Sequence, residues 1–533
     1  MERLSDVVQS ESLLNQECLR DLRTTNPYDD KNRIQATNGG LLKDSYRWIL
    51  ENGQFKQWQN DQGTLLWIRG DPGKGKTMLL CGIIDEITSA AEEDTSISFF
   101  FCQATDPRIN TATAVLRGLI YYLVLKRPAL LSHVRAKYEQ SGKRLFDDIN
   151  SWSALTGILT DILEELTCTY LLVDALDECT TGLSSLIDFI VQQSASSQRV
   201  KWVVTSRNWP EICEPLQIVT EVTPISLELN EASVSEAVKS FIQHKVNQLA
   251  VLKKYNDETR HEIGQYLLSH SQDTFLWVSL VCHELGRTPR WRALERVRGL
   301  PPGLNALYGR MMEQVQKSDD AKLCKQMLAT MSIVYRPITL DELQSCVELP
   351  QVFTGDFEAI AEIIALCGSF LALQKDTNAI VFVHQSAKDF LLKTAFSQVF
   401  PMGLEAEHHN IFLLCFKAME NTLRRDIFDI KLPSLSIQAV QTPTPSPLAP
   451  AEYACVYWSS HLRHCTSRTI IASGDFEENG RIDKFLRHMY LYWLEALSLL
   501  GTISEGIFAI LELDALLLVG STSTSYFLFR INY

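Results

Sequence analysis

Residues 65–80, LLWIRGDPGKGKTMLL, constrain this chain more than any other stretch. The run TLLWIRG is apolar, rich in β-favouring residues and of the length a buried parallel strand needs, and it stops at Gly70. Gly70, Gly73 and Gly75, with Lys76 and Thr77, then satisfy G-x-x-x-x-G-K-[ST]. Asp71, Pro72, Lys74 and Met78 complete the loop and its exit. Glycine tolerates the left-handed turns that expose successive N–H groups, so bare backbone can wrap a phosphate chain. The following TMLLCGIIDEI carries apolar residues at helical spacing. The loop therefore opens onto a helix N-terminus, where unpaired N–H groups and the positive end of the dipole favour an anion. ATP or ADP is the expected occupant, with Lys76 at the β and γ phosphates and the Thr77 hydroxyl on Mg²⁺.

Two later stretches supply partners for that site. TYLLVDALDEC reads as a buried strand that delivers Asp174 at its carboxyl end, where ligands sit in open α/β sheets. Asp174 is expected to hold Mg²⁺ through water as the partner of Thr77. Asp177 and Glu178 follow on the exit loop, placed to orient or deprotonate an attacking water; acidic residues also begin helices well, which leaves a plainer role open. RVKWVVTSRNWPEI repeats the arrangement and ends in Thr205, Ser206 and Arg207. An arginine there can report a γ-phosphate by pairing with it, or can simply cap a sheet edge.

Composition narrows the partners. The chain of 533 residues is long enough for about three or four domains, and 46% hydrophobic residues suffice for several cores. A formal charge of −14 gives no general attraction for phosphate backbones, so nucleic acid is not the expected main partner. Thirteen scattered cysteines, without a C-x-x-C pair and often within apolar runs, read as reduced thiols of a cytoplasmic protein. The start MERLSDVVQSESLLNQE lacks the basic and apolar blocks of a secretory signal, and no segment offers about 20 uninterrupted apolar residues for a membrane span.

In chain order the expected organisation is a helical lead-in over 1–60, an α/β nucleotide core with a mainly parallel sheet over 61–230, and a helical domain over 231–320. A winged-helix domain over 321–400 and helices over 401–440 follow, then a proline-rich linker over 441–450, a helical stalk over 451–514 and an atypical tail over 515–533, so that the chain is mostly α overall. Within this scheme NPYDDKNRIQATNGG reads as a polar linker, LLKDSYRWILENGQFKQW as a helix, and both LDELQSCVEL and IAEIIALCGSFLALQ as helices. Cys455, His461, His464 and Cys465 lie close together, but their spacing is wrong for common zinc modules and the intervening aromatics suggest a packed helix.

GDPGKGKT, LLVDALDEC and VVTSR, in this order and spacing, resemble the NACHT subclass of STAND P-loop NTPases, in particular fungal NLR-like proteins of the incompatibility type. FFFCQATDPRINTATAVLRGLI, TFLWVSLVC, LPPGLNALYGRMM and FVHQSAKDFLL carry the likeness further, over roughly residues 18–511. The resemblance implies a switch that holds ADP at rest, exchanges it for ATP and oligomerises through protein contacts. It also implies that His384, in FVHQSAKDFL, touches the nucleotide phosphates from the winged-helix domain; read alone, a histidine after a β-like run is more often structural. Arg33 and Ile34 match a segment near the base. Three departures stand out: Ala175 replaces an acidic residue after Asp174, TFLWVSLVC lacks the adenine-contacting proline of many relatives, and no effector domain or repeat period is evident. Hydrolysis in such a switch is expected to be slow at most; a truncated, non-catalytic regulatory module that pairs with full-length relatives and a general ATPase motor are the alternatives.

Overall fold

The computed structural model describes residues 13–60, 64–148, 150–217, 222–350, 353, 356–367, 370–374, 377–431, 440–465, 474–477 and 479–520. Two compact units divide the chain, Met1–Leu307 and Tyr308–Tyr533. In the helical lead-in, residues 13–22 are helical, and 1–12 fall outside the described residues, as does the tail beyond 520.

The segment read as a polar linker is instead helix α1 (Pro27–Thr37). Its turn-forming residues turn out to be caps. Asn26 accepts the Tyr28 N–H, Pro27 sits at the first position and Asp29 and Asp30 face the positive end of the dipole. Lys31 then pairs with Asp85 at 2.5 Å, which ties α1 down. The next expected helix splits into α2 (Lys43–Glu51) and α3 (Gly53–Asn60), because Asn52 turns extended and its side chain accepts the N–H groups of Gln54 and Phe55.

The core of the first unit alternates strand and helix: β1 (Leu65–Arg69), α4 (Lys76–Ala90), β2 (Thr95–Phe101), α5 (Ala112–Lys126), α6 (Ser151–Glu165), β3 (Cys168–Asp174), α7 (Leu183–Ser196), β4 (Val200–Ser206) and β5 (Val222–Ser226). All five strands are parallel, in the order β2-β3-β4-β1-β5. Strand β4 thus lies between the strand that enters the glycine loop and the strand that ends in Asp174. At the edge, β5 carries Pro224, whose missing N–H costs nothing where no further strand pairs. Residues of one parity, Leu65, Trp67, Leu171, Val173, Trp202 and Val204, form a continuous apolar cluster with α5, α6 and α7. Helices α8 (Glu231–Lys253), α9 (Asp257–His270), α10 (Phe275–Arg287) and α11 (Ala293–Arg298) complete the unit, with α8 packed on α2.

In the second unit, α12 (Ala321–Ile333), α13 (Phe357–Leu366) and α14 (Gln385–Lys393) accompany a small antiparallel sheet, β6 (Ile338–Thr339), β8 (Ala379–Phe382) and β7 (Leu371–Leu373), in that order across the sheet. This is the expected winged-helix arrangement, with two corrections. LDELQSCVEL forms one 3-10 turn, Leu343–Ser345, because Glu342 is drawn back to Arg336 and the Thr339 N–H. The apolar run after α13 leaves the helix and becomes β7. Beyond lie α15 (Leu404–Thr422), α16 (Glu452–Arg463), α17 (Tyr490–Leu500) and α18 (Ile503–Gly520), the last two separated by left-handed Gly501.

His461 is fully buried on α16, bonded to Tyr453 Oη at 2.7 Å and to His408 Nδ1 on α15 at 2.9 Å. Cys465 donates its thiol to the His461 carbonyl. Protein atoms therefore occupy both ring nitrogens of His461, and no cluster of three or more His, Cys, Asp or Glu side chains that could hold a metal ion occurs among the described residues.

Candidate nucleotide-phosphate site

The glycine loop links the end of β1 to the start of α4. Gly73 and Gly75 both adopt positive φ, 79° and 85°, which an L side chain resists. Gly75 is the N-cap of α4 and offers no side-chain cap, so the first-turn N–H groups have no side chain competing with an anion. Lys76 Nζ lies 2.5 Å from the Gly70 carbonyl and 3.0 Å from that of Asp71, folded back along the loop. Burial pulls its pKa down, and the carboxylates of Asp177, Asp174 and Glu228 oppose that shift while Arg207 adds to it.

Strand β4 brings the remaining predicted residues together. Asp174, only 3% exposed, accepts the Thr205 hydroxyl at 2.6 Å and is hydrogen-bonded to the Thr77 hydroxyl. Burial raises its pKa despite these two hydroxyls and Lys76, so a nearby cation suits it. Thr77 and Asp174 thus stand as a hydroxyl and a carboxylate side by side, a donor pair that fits Mg²⁺ bound to Thr77 and water-bridged to Asp174. Thr205 also accepts the Ala175 N–H at 2.8 Å, which steadies Ala175 in a left-handed conformation, φ 53°.

Asp177 and Arg207 form one unit. The Asp177 carboxylate takes the Arg207 N–H and its Nε, each at 3.0 Å, and both residues are buried. The guanidinium also lies over the Trp209 ring at 5.7 Å. Asp177 is thereby engaged in positioning Arg207. Glu178 accepts the Ala104 N–H at 3.0 Å, and burial together with the Asp177 charge pushes its pKa up to about 8.

Two contributions escaped sequence reasoning. Glu228, just beyond β5, accepts the Asp71 N–H at 2.7 Å. Burial opposes its ionisation, but bonds from Asp71, its own N–H, Ser226 and Asn208 outweigh that and hold its pKa low. An acidic residue at the carboxyl end of the edge strand was the available signal. The second is the turn before α10. Lys74 Nζ bonds the Gln272 carbonyl at 3.0 Å and the Leu276 N–H reaches the Gly73 carbonyl at 3.3 Å. A Cβ on Gly73 would lie 2.9 Å from Thr274 and Leu276, and one on Gly75 would lie 2.9 Å from Phe275. Gln272 and Asp273 are consecutive non-glycine residues at positive φ, 48° and 51°, so strain is concentrated where the helical block meets the loop.

Arg33 faces solvent and pairs with Asp30, while Ile34 is half-buried; the inward groups of α1 are Lys31 and Gln35, both on Asp85. His384 belongs to the second unit. It is the N-cap of α14, where its Nδ1 accepts the Ser386 N–H at 3.1 Å.

A parallel sheet in which the strand beside the edge strand enters a glycine loop ending in Lys-Thr, with a buried aspartate at the end of the strand two places away, is the arrangement of a P-loop fold. Residues 44–207 match the family described as Nephrocystin 3, N-terminal, and residues 310–407 match GPI inositol-deacylase, winged helix domain. Over 518 residues the chain is 50% identical to the vegetative incompatibility protein HET-E-1 of Podospora anserina, covering 94% of this chain and 38% of that protein. The chain therefore spans less than half the length of that relative. Among solved structures, a Walker-type ATPase of Pyrococcus abyssi overlaps 66% of this chain and 96% of its own at 13% identity and a TM-score of 0.33. Drosophila ORC bound to DNA overlaps 67% and 99% at 10% identity and a TM-score of 0.32. The chain has a P-loop fold and is similar along nearly its whole length to part of that fungal vegetative incompatibility protein. None of its described helices is long and apolar enough to cross a membrane.

Proposed function

We propose that this protein is a nucleotide-gated signalling switch, which holds ADP or ATP with Mg²⁺ in the glycine loop and changes its protein contacts with the nucleotide bound. The observation that carries this reading is the sharing of the loop between sheet and helical block. Lys76 is held by loop carbonyls, Lys74 by the turn before α10, and Gly73 and Gly75 leave room for Thr274, Phe275 and Leu276. A phosphate that draws Lys76 off those carbonyls changes the same loop on which the strained turn rests.

In this reading the loop residues Gly70–Met78 bind the phosphates, Thr77 and Asp174 hold Mg²⁺, and Arg207, positioned by Asp177, senses the γ end. Glu178, ready to keep a proton near neutral pH, is the candidate for any water activation, and His384 a candidate phosphate contact from the winged-helix domain. Engagement of Asp177 by Arg207, together with Ala175 after Asp174, favours slow turnover that resets the switch over a motor. The segments 61–230, 231–320 and 321–400 are the proposed nucleotide, helical and winged-helix domains.

Two measurements test the reading on the full chain: the nucleotide released on denaturing purified protein, and sedimentation with Mg²⁺ plus either ADP or a non-hydrolysable ATP analogue. Tightly held nucleotide and an association state that differs between the two are expected. A constant monomer that binds both equally would refute gating.

A further inference from the structure

Helices α6 and α7 flank an open trough of 1210 Å³ on the first unit. That exceeds the roughly 300–1,000 Å³ of a small-molecule pocket and suits a protein protrusion better. Part-exposed Trp152 lines it and meets the buried Phe189 ring edge-on at 6.2 Å, so the trough offers one aromatic edge backed by the core. Asp161, Glu164 and Asp188 are exposed along it, and no ion pair engages them among the described residues.

The same unit carries a protrusion of complementary chemistry. Between α10 and α11 the chain reads RTPRWR, a turn in which Trp291 is 73% exposed. Arg292 stacks on the indole at 4.4 Å, and Arg287 and Arg290 flank it. On α11, by contrast, Arg296 and Arg298 are matched to Glu284 and Glu262. No acidic partner engages Arg287, Arg290 or Arg292 among the described residues. An exposed tryptophan among unmatched arginines is the composition of an interface anchor, and it stands out on a chain of net charge −14.

We infer that the Arg287–Arg292 turn of one copy docks its Trp291 against the aromatic edge of the α6/α7 trough of a second copy, with the arginines on Asp161, Glu164 and Asp188. Each copy presents both halves on different elements, so the contact can repeat head-to-tail and propagate, or close reciprocally between two copies. Charge complementarity favours this pairing, since three carboxylates outnumber Arg199 along the trough and the turn carries three arginines. The inference rests on the nucleotide-gated reading only for when the contact forms.

The test uses the full chain with Mg²⁺ and each nucleotide, in sedimentation velocity at low and high salt. Arg287→Glu/Arg290→Glu/Arg292→Glu and Asp161→Lys/Glu164→Lys/Asp188→Lys should each weaken self-association at least tenfold, with nucleotide affinity and melting temperature unchanged. Mixing the two variants should restore association, since the wild-type turn of one meets the wild-type trough of the other and the two reversed faces are again of opposite charge. Trp291→Ala tests the anchor without altering charge and should weaken association to a similar degree. Assembly of wild type and all variants alike would overturn this contact and leave the switch intact; failure of the mixed variants to associate would also overturn it. A wild-type monomer under both nucleotides would overturn contact and gating together.

Discussion

Each unit buries a network of ionisable side chains, and the two networks are built on opposite principles. At the carboxyl ends of β1, β3 and β4 the groups are oppositely charged and crowded: Lys76, Asp174, Asp177, Arg207 and Glu228 act on one another around a loop of exposed N–H groups. In the second unit, Tyr335 N–H, Tyr453, His461 and His408 run in a neutral chain of hydrogen bonds. Tyr453 can donate to His461 Nε2 and His461 Nδ1–H to His408 Nδ1, which satisfies every ring nitrogen named without a charge. Burial lowers the pKa of His461, and that of His408 to about 4. A charged network beside open backbone donors has work left for a ligand, whereas a closed neutral one is finished when the protein folds. Burial of a titratable group is thus no mark of function until its partners are counted.

Removing the central cation should break this contrast most sharply. Lys76→Ala is expected to weaken ATP and ADP binding about a thousandfold by calorimetry, since a charge-assisted contact to the phosphates is lost and Asp174 loses a neighbouring cation. His461→Leu should leave nucleotide affinity within about twofold while lowering stability, because it strands Tyr453 and His408 without touching the loop. Equal affinities for wild type and Lys76→Ala would remove the assigned site.

The Asp177–Arg207 pair comes next. Asp177→Asn leaves a buried guanidinium without its counter-charge and should cost about 3 kcal/mol in denaturant unfolding, where Asp177→Leu with Arg207→Met should recover most of the loss. If the single variant were neutral, Arg207 would not depend on Asp177 for its position.

The smallest effects are in pH, and the two networks should differ in sign. The unfolded chain protonates histidine below about 6.5, while folded His408 resists until about pH 4, so its contribution is present above 6.5 and is lost as pH falls through that window. His408→Asn keeps an acceptor for His461 and cannot protonate; it should reduce the stability lost between pH 7 and 5 by about 2 kcal/mol. Comparison with wild type is needed because Glu407 and Glu452, both raised, oppose that slope. Glu178 behaves the other way. Its carboxyl deprotonates near 4.5 when unfolded and near 8 when folded, so nucleotide-free protein should lose stability as pH rises through that window, and Glu178→Gln should flatten the loss.

Local features were legible because their causes are local. The glycine loop needs particular residues at fixed offsets, Asp174 ends an apolar run, and helix periodicity marks α4, α5 and α6. The stretch 26–40 misled because residues that cap a helix are the same ones that make turns; only the salt bridge of Lys31 to Asp85, about fifty residues away, shows which was meant. The break at Asn52 and the loss of helix in LDELQSCVEL have the same origin, a side chain diverted to a backbone or ionic partner.

What the amino-acid order determined by itself was the phosphate-wrapping loop, the strand that ends in a carboxylate and the alternation of strand and helix, since each depends on neighbours within a few turns of chain. Only the tertiary structure decided that β4 lies between β1 and β3, and hence that Thr205 bridges to Asp174, that Asp177 belongs to Arg207, that Glu228 holds the loop and that the turn before α10 rests on its glycines. Those pairings join residues between 30 and 203 positions apart, and nothing in a short stretch of chain carries the energy that selects them. They follow from strand order and the packing of the sheet, where charges and hydroxyls find partners only after the apolar faces have closed.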